Sequence, residues 1–89
     1  MRQEPKKFTK EDIDLVVQVE VFDNDELNHS ITARIVEFNG KKCPLRVTDI
    51  NSDAGFILNA DGTWRSSSSE VFIEITKTYP KKDYPEYYL

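Results

Sequence analysis

Apolar and polar residues alternate with a period of two through much of this chain. Leu15, Val17, Val19 and Val21 fall on one side of the run, and Val16, Gln18, Glu20 and Phe22 on the other. Ile31, Ala33 and Ile35 make a second apolar set, Cys43, Leu45 and Val47 a third, and Val71, Ile73 and Ile75 a fourth. Alternation among β-branched residues marks strands with one buried face. The pattern predicts strands over about 14–22, 30–37, 42–49, 55–60, 63–66 and 70–79. Asn39-Gly40 and Asp61-Gly62 are hairpin signals between them.

The alternation also selects a register, because a one-residue slip sends every side chain to the opposite face. A three-residue loop Phe38-Asn39-Gly40, with Gly40 left-handed, places Ile35 opposite Cys43, Ala33 opposite Leu45 and Ile31 opposite Val47. Both apolar sets then share a face. The same logic at Ala60-Asp61-Gly62 places Trp64 opposite Leu58, in the core.

Ahead of the first strand, Thr9 and Asp12 have the spacing of a capping box, and Phe8 and Ile13 that of a hydrophobic staple. This predicts one turn of helix. Residues 23–29 read as a polar loop, as does Ser66-Ser67-Ser68-Ser69. After Tyr79, Pro80 and Pro85 rule out a central strand or a regular helix and predict an extended segment. Strands with one apolar face must close on themselves or pack in two layers. The expected fold is therefore all-β, a small antiparallel barrel or sandwich of five to six strands with one short N-terminal helical turn. Its parts are a loose N-terminus over 1–7, a β domain over 8–79 and an aromatic tail over 80–89.

Eighty-nine residues make one domain with a thin core. A net charge of −4 speaks against a general nucleic-acid binder. Cys43 is the one cysteine, so no internal disulfide forms, and a reducing cytosol is the expected compartment. Cys43 itself is expected in the core. No stretch is long and apolar enough to span a bilayer, and Met1–Lys7 lacks the apolar run of a signal peptide behind it. The chain reads as a complete short gene product.

Residues 11–28 hold seven carboxylates and no Lys or Arg. Within them Asp23, Asp25 and Glu26 are candidates for docking a basic partner. Arg34, Lys42 and Arg46 are expected on the outer face of the first predicted hairpin. With Trp64 and Phe38 as stacking platforms they would suit single-stranded nucleic acid. Asp49, Asn51 and Asp53 have the first spacings of a calcium loop, but Ala54 and Ala60 stand where that loop needs Gly and Glu, so no metal is expected. His29 stands alone, and Gly40, Gly55 and Gly62 are scattered rather than gathered in a phosphate-binding loop. The chain is accordingly read as no enzyme, with no cofactor.

Tyr79, Tyr84, Tyr87, Tyr88 and Leu89 are a heavy apolar load for a tail. Tyrosine is favoured at interfaces because it supplies contact area with few rotatable bonds. Val16, Phe22, Val36, Ile57 and Phe72 lie out of phase with the core sets and also need cover. Together they suggest a protein partner or a homodimer. The expected function is a small cytosolic protein–protein interaction module, an accessory subunit or inhibitor of the kind short mobile-element and phage genes encode. The alternative is a single-stranded nucleic-acid binder using the basic hairpin face.

Overall fold

Six antiparallel strands form one sheet: β1 (Val16–Asp23), β2 (Glu26–Phe38), β3 (Leu45–Asp49), β4 (Gly55–Leu58), β5 (Thr63–Arg65) and β6 (Val71–Tyr79). These coordinates are a computed structural model and describe residues 7–88. Most of the expected loose N-terminus, and Leu89 of the tail, lie outside the described residues. The strand order is β4-β3-β2-β1-β6-β5, so β1 is flanked by β2 and β6. The sheet curls until β4 and β5 meet at a turn. There the Asn59 N–H donates to the Thr63 carbonyl at 2.8 Å, and the Gly62 N–H to the Asn59 carbonyl at 2.9 Å. Between barrel and sandwich, the chain forms a nearly closed barrel.

The alternation holds in three dimensions. Val17, Val19, Val21, Ala33, Ile35, Leu45, Val47, Leu58 and Ile73 fill the interior. Full burial of a residue such as Ile35 or Leu45 stabilises the fold by roughly 1.5–3 kcal/mol relative to exposure. Phe8 joins them from outside the sheet. Its N–H donates to the Ala60 carbonyl at 2.7 Å, and the residue is 4% exposed. The capping box forms as expected: Thr9 Oγ1 accepts from the Glu11 N–H, and Asp12 Oδ2 accepts from the Thr9 N–H, closing the 3-10 turn Lys10–Asp12. The expected staple is different, because Phe8 is inside the barrel while Ile13 is 39% exposed. Phe8 lies against Gly62, whose φ is +82°. A Cβ built at Gly62 would come within 2.9 Å of Phe8 Cε2 and 3.2 Å of Ile75.

The register differs from the expected one. Ile35 faces Val47, and Ala33 faces Asp49. The shift is four residues, an even number, so Ala33, Ile35, Leu45 and Val47 keep the inner face, whereas past the bulge Phe38 turns inward against the core and Glu37 outward. The extra length is taken up by a bulge at Val36 and a connection over residues 39–44 closed by the Asn39 N–H on the Pro44 carbonyl at 3.0 Å. Gly40 has no positive φ. Cys43 therefore leaves the core and sits half-buried in this loop, its Sγ 3.4 Å from Asn59 Oδ1. Trp64 faces Ile73 on β6 rather than Leu58, and is half-buried. The expected polar loop at 23–29 is a two-residue hairpin. Asn24 and Asp25 have φ of 52° and 66°, the paired left-handed residues of a type I′ turn, with Asp23 opposite Glu26.

A candidate protein-interaction surface

The outer face of the sheet is organised in cross-strand rows, because facing residues in antiparallel strands share a side. The first row is Arg34–Val16–Tyr79, and the second Thr32–Gln18–Lys77. The third is Ser30–Glu20–Glu74–Thr63, and the fourth Leu27–Phe22–Phe72–Arg65. Bulges at Asn28 and Thr76 let β2 and β6 keep step with β1. Beyond the fourth row are Asp23, Asp25 and Glu26 at the exposed hairpin tip.

The tail closes the first row. The Val16 N–H donates to the Tyr88 hydroxyl at 2.9 Å, and that hydroxyl donates to the Tyr79 carbonyl. Val16 and Tyr79 are facing residues on β1 and β6, so one phenol bridges the end of the ladder. The Tyr79 ring packs on Tyr84 with centroids 4.9 Å apart and on Tyr87 at 5.0 Å. Lys77 Nζ lies 5.1 Å from the Tyr79 ring centre and 5.5 Å from that of Tyr84. Arg34 Nη2 donates to the Tyr87 carbonyl at 3.1 Å. Val16 is fully buried as a result. The segment is not extended. The Pro80 carbonyl accepts from the Asp83 and Tyr84 N–H groups, and Pro85–Tyr88 forms a 3-10 turn. Each proline opens a turn, where its missing N–H costs nothing.

The tyrosines proposed from sequence therefore lie at one end of β1, engaged with their own chain. Asp23, Asp25 and Glu26 lie at the other end, about 20 Å away at the rise of a strand. The basic candidates do not line one groove. Arg34 is under the tail, with its Nε buried and without a hydrogen-bond partner among the described residues. Lys42 is in the loop between β2 and β3. Arg46 is on the outer face of β3, between Glu37 and Ile57. Asp49 Oδ1 accepts from the Asn51 N–H at 2.9 Å, so this carboxylate shapes the turn after β3. Of the second-face apolar residues, the tail covers Val16. Phe22 and Phe72 pack on each other with centroids 6.2 Å apart, and the Arg65 guanidinium lies 4.5 Å above the Phe72 ring. Val36 and Ile57 remain 43% and 59% exposed.

Sequence reasoning missed Leu27, Ser30 and the facing pair Glu20 and Glu74. The signal for Leu27 was Asn24-Asp25, since both residue types tolerate a left-handed backbone. That turn sets Leu27 opposite Phe22; the bulge at Asn28 then brings Ser30 opposite Glu20, and Glu74 comes from the separate pairing of β1 with β6, which no local signal marks. Two open clefts mark the two ends. One, of about 570 Å³, lies between the helical turn and the tail and is lined by Glu11, Asp14, Arg34, Lys81 and Tyr88. The other, of about 480 Å³, lies at the hairpin tip against Asp23, Asn24, Glu26, Leu27 and Asn28.

β2 is longer than its neighbour on one side. β3 pairs with it only from Ala33 to Phe38, and the Ile50 N–H reaches the Thr32 carbonyl at 3.0 Å. From Glu26 to Ile31 that side of β2 has no strand beside it among the described residues. Comparison with family models, curated proteins and solved structures gives no match for this chain.

Proposed function

We propose that this chain is a small protein–protein interaction module that binds through the hairpin end of its sheet. The observation that carries the reading is the division of the outer face. The tyrosine end is occupied by the chain's own tail, whereas the hairpin end carries an apolar row, with Leu27 55% exposed, under a tip of three exposed carboxylates. An apolar strip rimmed by charge is how a docking surface is built. The same carboxylates repel phosphates, which disfavours a nucleic-acid partner. The partner is then a protein with a basic rim, and the module is its accessory subunit or inhibitor. A cytosolic setting rests on the single thiol of Cys43.

Affinity capture from the native host, with and without nuclease, tests this. One protein recovered in the presence of nuclease by the wild type, and lost by Asp23→Asn/Asp25→Asn/Glu26→Gln, is the expected result. Recovery that disappears with nuclease would overturn the reading in favour of a single-stranded nucleic acid. Recovery unchanged by the triple substitution would remove the hairpin end from the interface.

A further inference from the structure

We propose that the unpaired side of β2, over Glu26–Ile31, accepts an extended basic segment of a partner protein as an added strand; the proposal rests on the interaction-module reading. Three observations carry it. First, the backbone there offers unpaired groups. Ile35 points its N–H and C=O toward β1, donating to the Leu15 carbonyl at 2.9 Å and accepting from the Asp14 N–H at 2.7 Å. Backbone direction alternates along a strand, so Ala33 and Ile31 also face β1 while Thr32 and Ser30 face away. Thr32 bears this out, since its carbonyl takes the Ile50 N–H. Ser30 is the next residue on that side and, among the described residues, is left with a free donor and a free acceptor for a further strand.

Second, the third row has an electrostatic conflict. Glu20 and Glu74 are directly opposite one another, and both are half-buried. Like charges in facing positions destabilise a sheet. Neither carboxylate has a hydrogen bond or an ion pair among the described residues. A cation laid along that row relieves the repulsion. Ser30 is the row's member on β2 and is small, so a Lys or Arg on an added strand can lie across it toward Glu20. The separation is two strand spacings, about 10 Å, which two long side chains span.

Third, the charge chooses the occupant. A second copy added at this edge would lay its own residues 23–31 along it, a stretch with three carboxylates and no Lys or Arg, so it brings no cation to the third row and self-pairing is disfavoured. A basic strand meets the opposite sign. The fourth row adds a preference: a position beside Leu27 is continuous with Phe22 and Phe72 and suits an apolar side chain. The segment thus carries a Lys or Arg and an apolar residue on one face of a strand.

The probe is a capped eight-residue peptide, Thr-Lys-Thr-Val-Thr-Lys-Thr-Val, with a control in which Glu replaces each Lys. Added to the isotope-labelled full chain at low salt, the lysine peptide is expected to slow exchange of the Ser30 amide by about tenfold at saturation, with resonance shifts at Leu27 and Glu20. The glutamate peptide leaves all three unchanged. Equal effects of both peptides, no effect of the lysine peptide at millimolar concentration, or shifts confined to Tyr79 and Tyr87 would each overturn the proposal. So would a dimer in sedimentation that Ser30→Pro dissolves, because the occupant would then be a second copy. Ser30→Pro removes the outward N–H without touching the β1 ladder, and is expected to abolish peptide binding while leaving the fold's spectrum intact. Glu20→Gln/Glu74→Gln serves as the second variant and is expected to weaken the lysine peptide selectively. A host protein still captured by Ser30→Pro would leave the interaction module standing and refute strand addition alone.

Discussion

Tyr88→Phe deletes one oxygen atom, and the structure sets what that costs. The hydroxyl accepts from the Val16 N–H and donates to the Tyr79 carbonyl. Val16 is wholly buried, so its N–H has no route to water once the oxygen is gone. An unsatisfied buried donor costs about 1–3 kcal/mol, and the carbonyl loses a partner as well. The ring itself stays, so packing against Val16 is unchanged. A loss of about 2 kcal/mol lowers the melting temperature of a domain this size by roughly 10 °C. Thermal melts followed by circular dichroism measure it, with Tyr87→Phe as control. The Tyr87 hydroxyl makes no hydrogen bond among the described residues, so its removal is expected to cost under about 0.5 kcal/mol. Hydrogen exchange adds a local readout: the Val16 amide loses protection while that of Val19 keeps it. Equal melting temperatures for the two variants would mean that β1 and β6 close up and bond directly, and the bridging argument would fail.

Two further substitutions probe other parts of the sheet. Gly62→Ala puts a methyl group within 2.9 Å of Phe8 Cε2 at a φ of +82°, so strain and overpacking together are expected to cost about 2–4 kcal/mol in a denaturant titration, and a loss below ~0.5 kcal/mol would show that Phe8 does not fill that space. Glu74→Gln removes the like-charge facing pair and is expected to raise stability by about 0.2–1 kcal/mol at low salt, with the gain fading at high salt; destabilisation would mean that Glu74 makes a favourable contact instead.

The parity of the apolar pattern carried most of the fold. Which residues face inward is a property of period two, and for Ala33, Ile35, Leu45 and Val47 it survives a four-residue shift in the pairing of β2 with β3, while Cys43 and Phe38, beside the bulge and loop, depart from it. The absolute register was not legible, because it depends on where loops begin. Asn39-Gly40 has the composition of a tight turn. In the molecule, however, the Asn39 side chain accepts from the Lys41 N–H and donates to Glu37, and the chain continues to Pro44 before pairing resumes. Asn24-Asp25 lacks glycine and has the composition of a loop, although both residues adopt the left-handed backbone a type I′ turn needs. The site suffered most from this. Tyrosines and carboxylates were recognisable as chemistry, but only the register shows that the first group is consumed by Val16 and Arg34. Likewise, only the register reveals that Glu20 faces Glu74. The residues around Phe8 in sequence suggest a staple. Its real partners, Ala60 and Gly62, are more than fifty residues away, beyond the reach of local pattern.

The placement of β1 between β2 and β6 also has a temporal side. A ribosome delivers β1 and β2 together, since a two-residue turn joins them, but β6 is the last strand to be made. At roughly 5–20 residues per second, the stretch between Asp23 and Val71 takes about 2–10 s to emerge. For that interval one side of β1 is an unmatched edge reading Val-Val-Gln-Val-Glu-Val-Phe, a composition that favours misassembly with other nascent chains. Gln18 and Glu20 are the only polar breaks in it, and Glu20 is the charged one. The carboxylate whose position opposite Glu74 strains the finished sheet is thus the one that guards the unfinished strand.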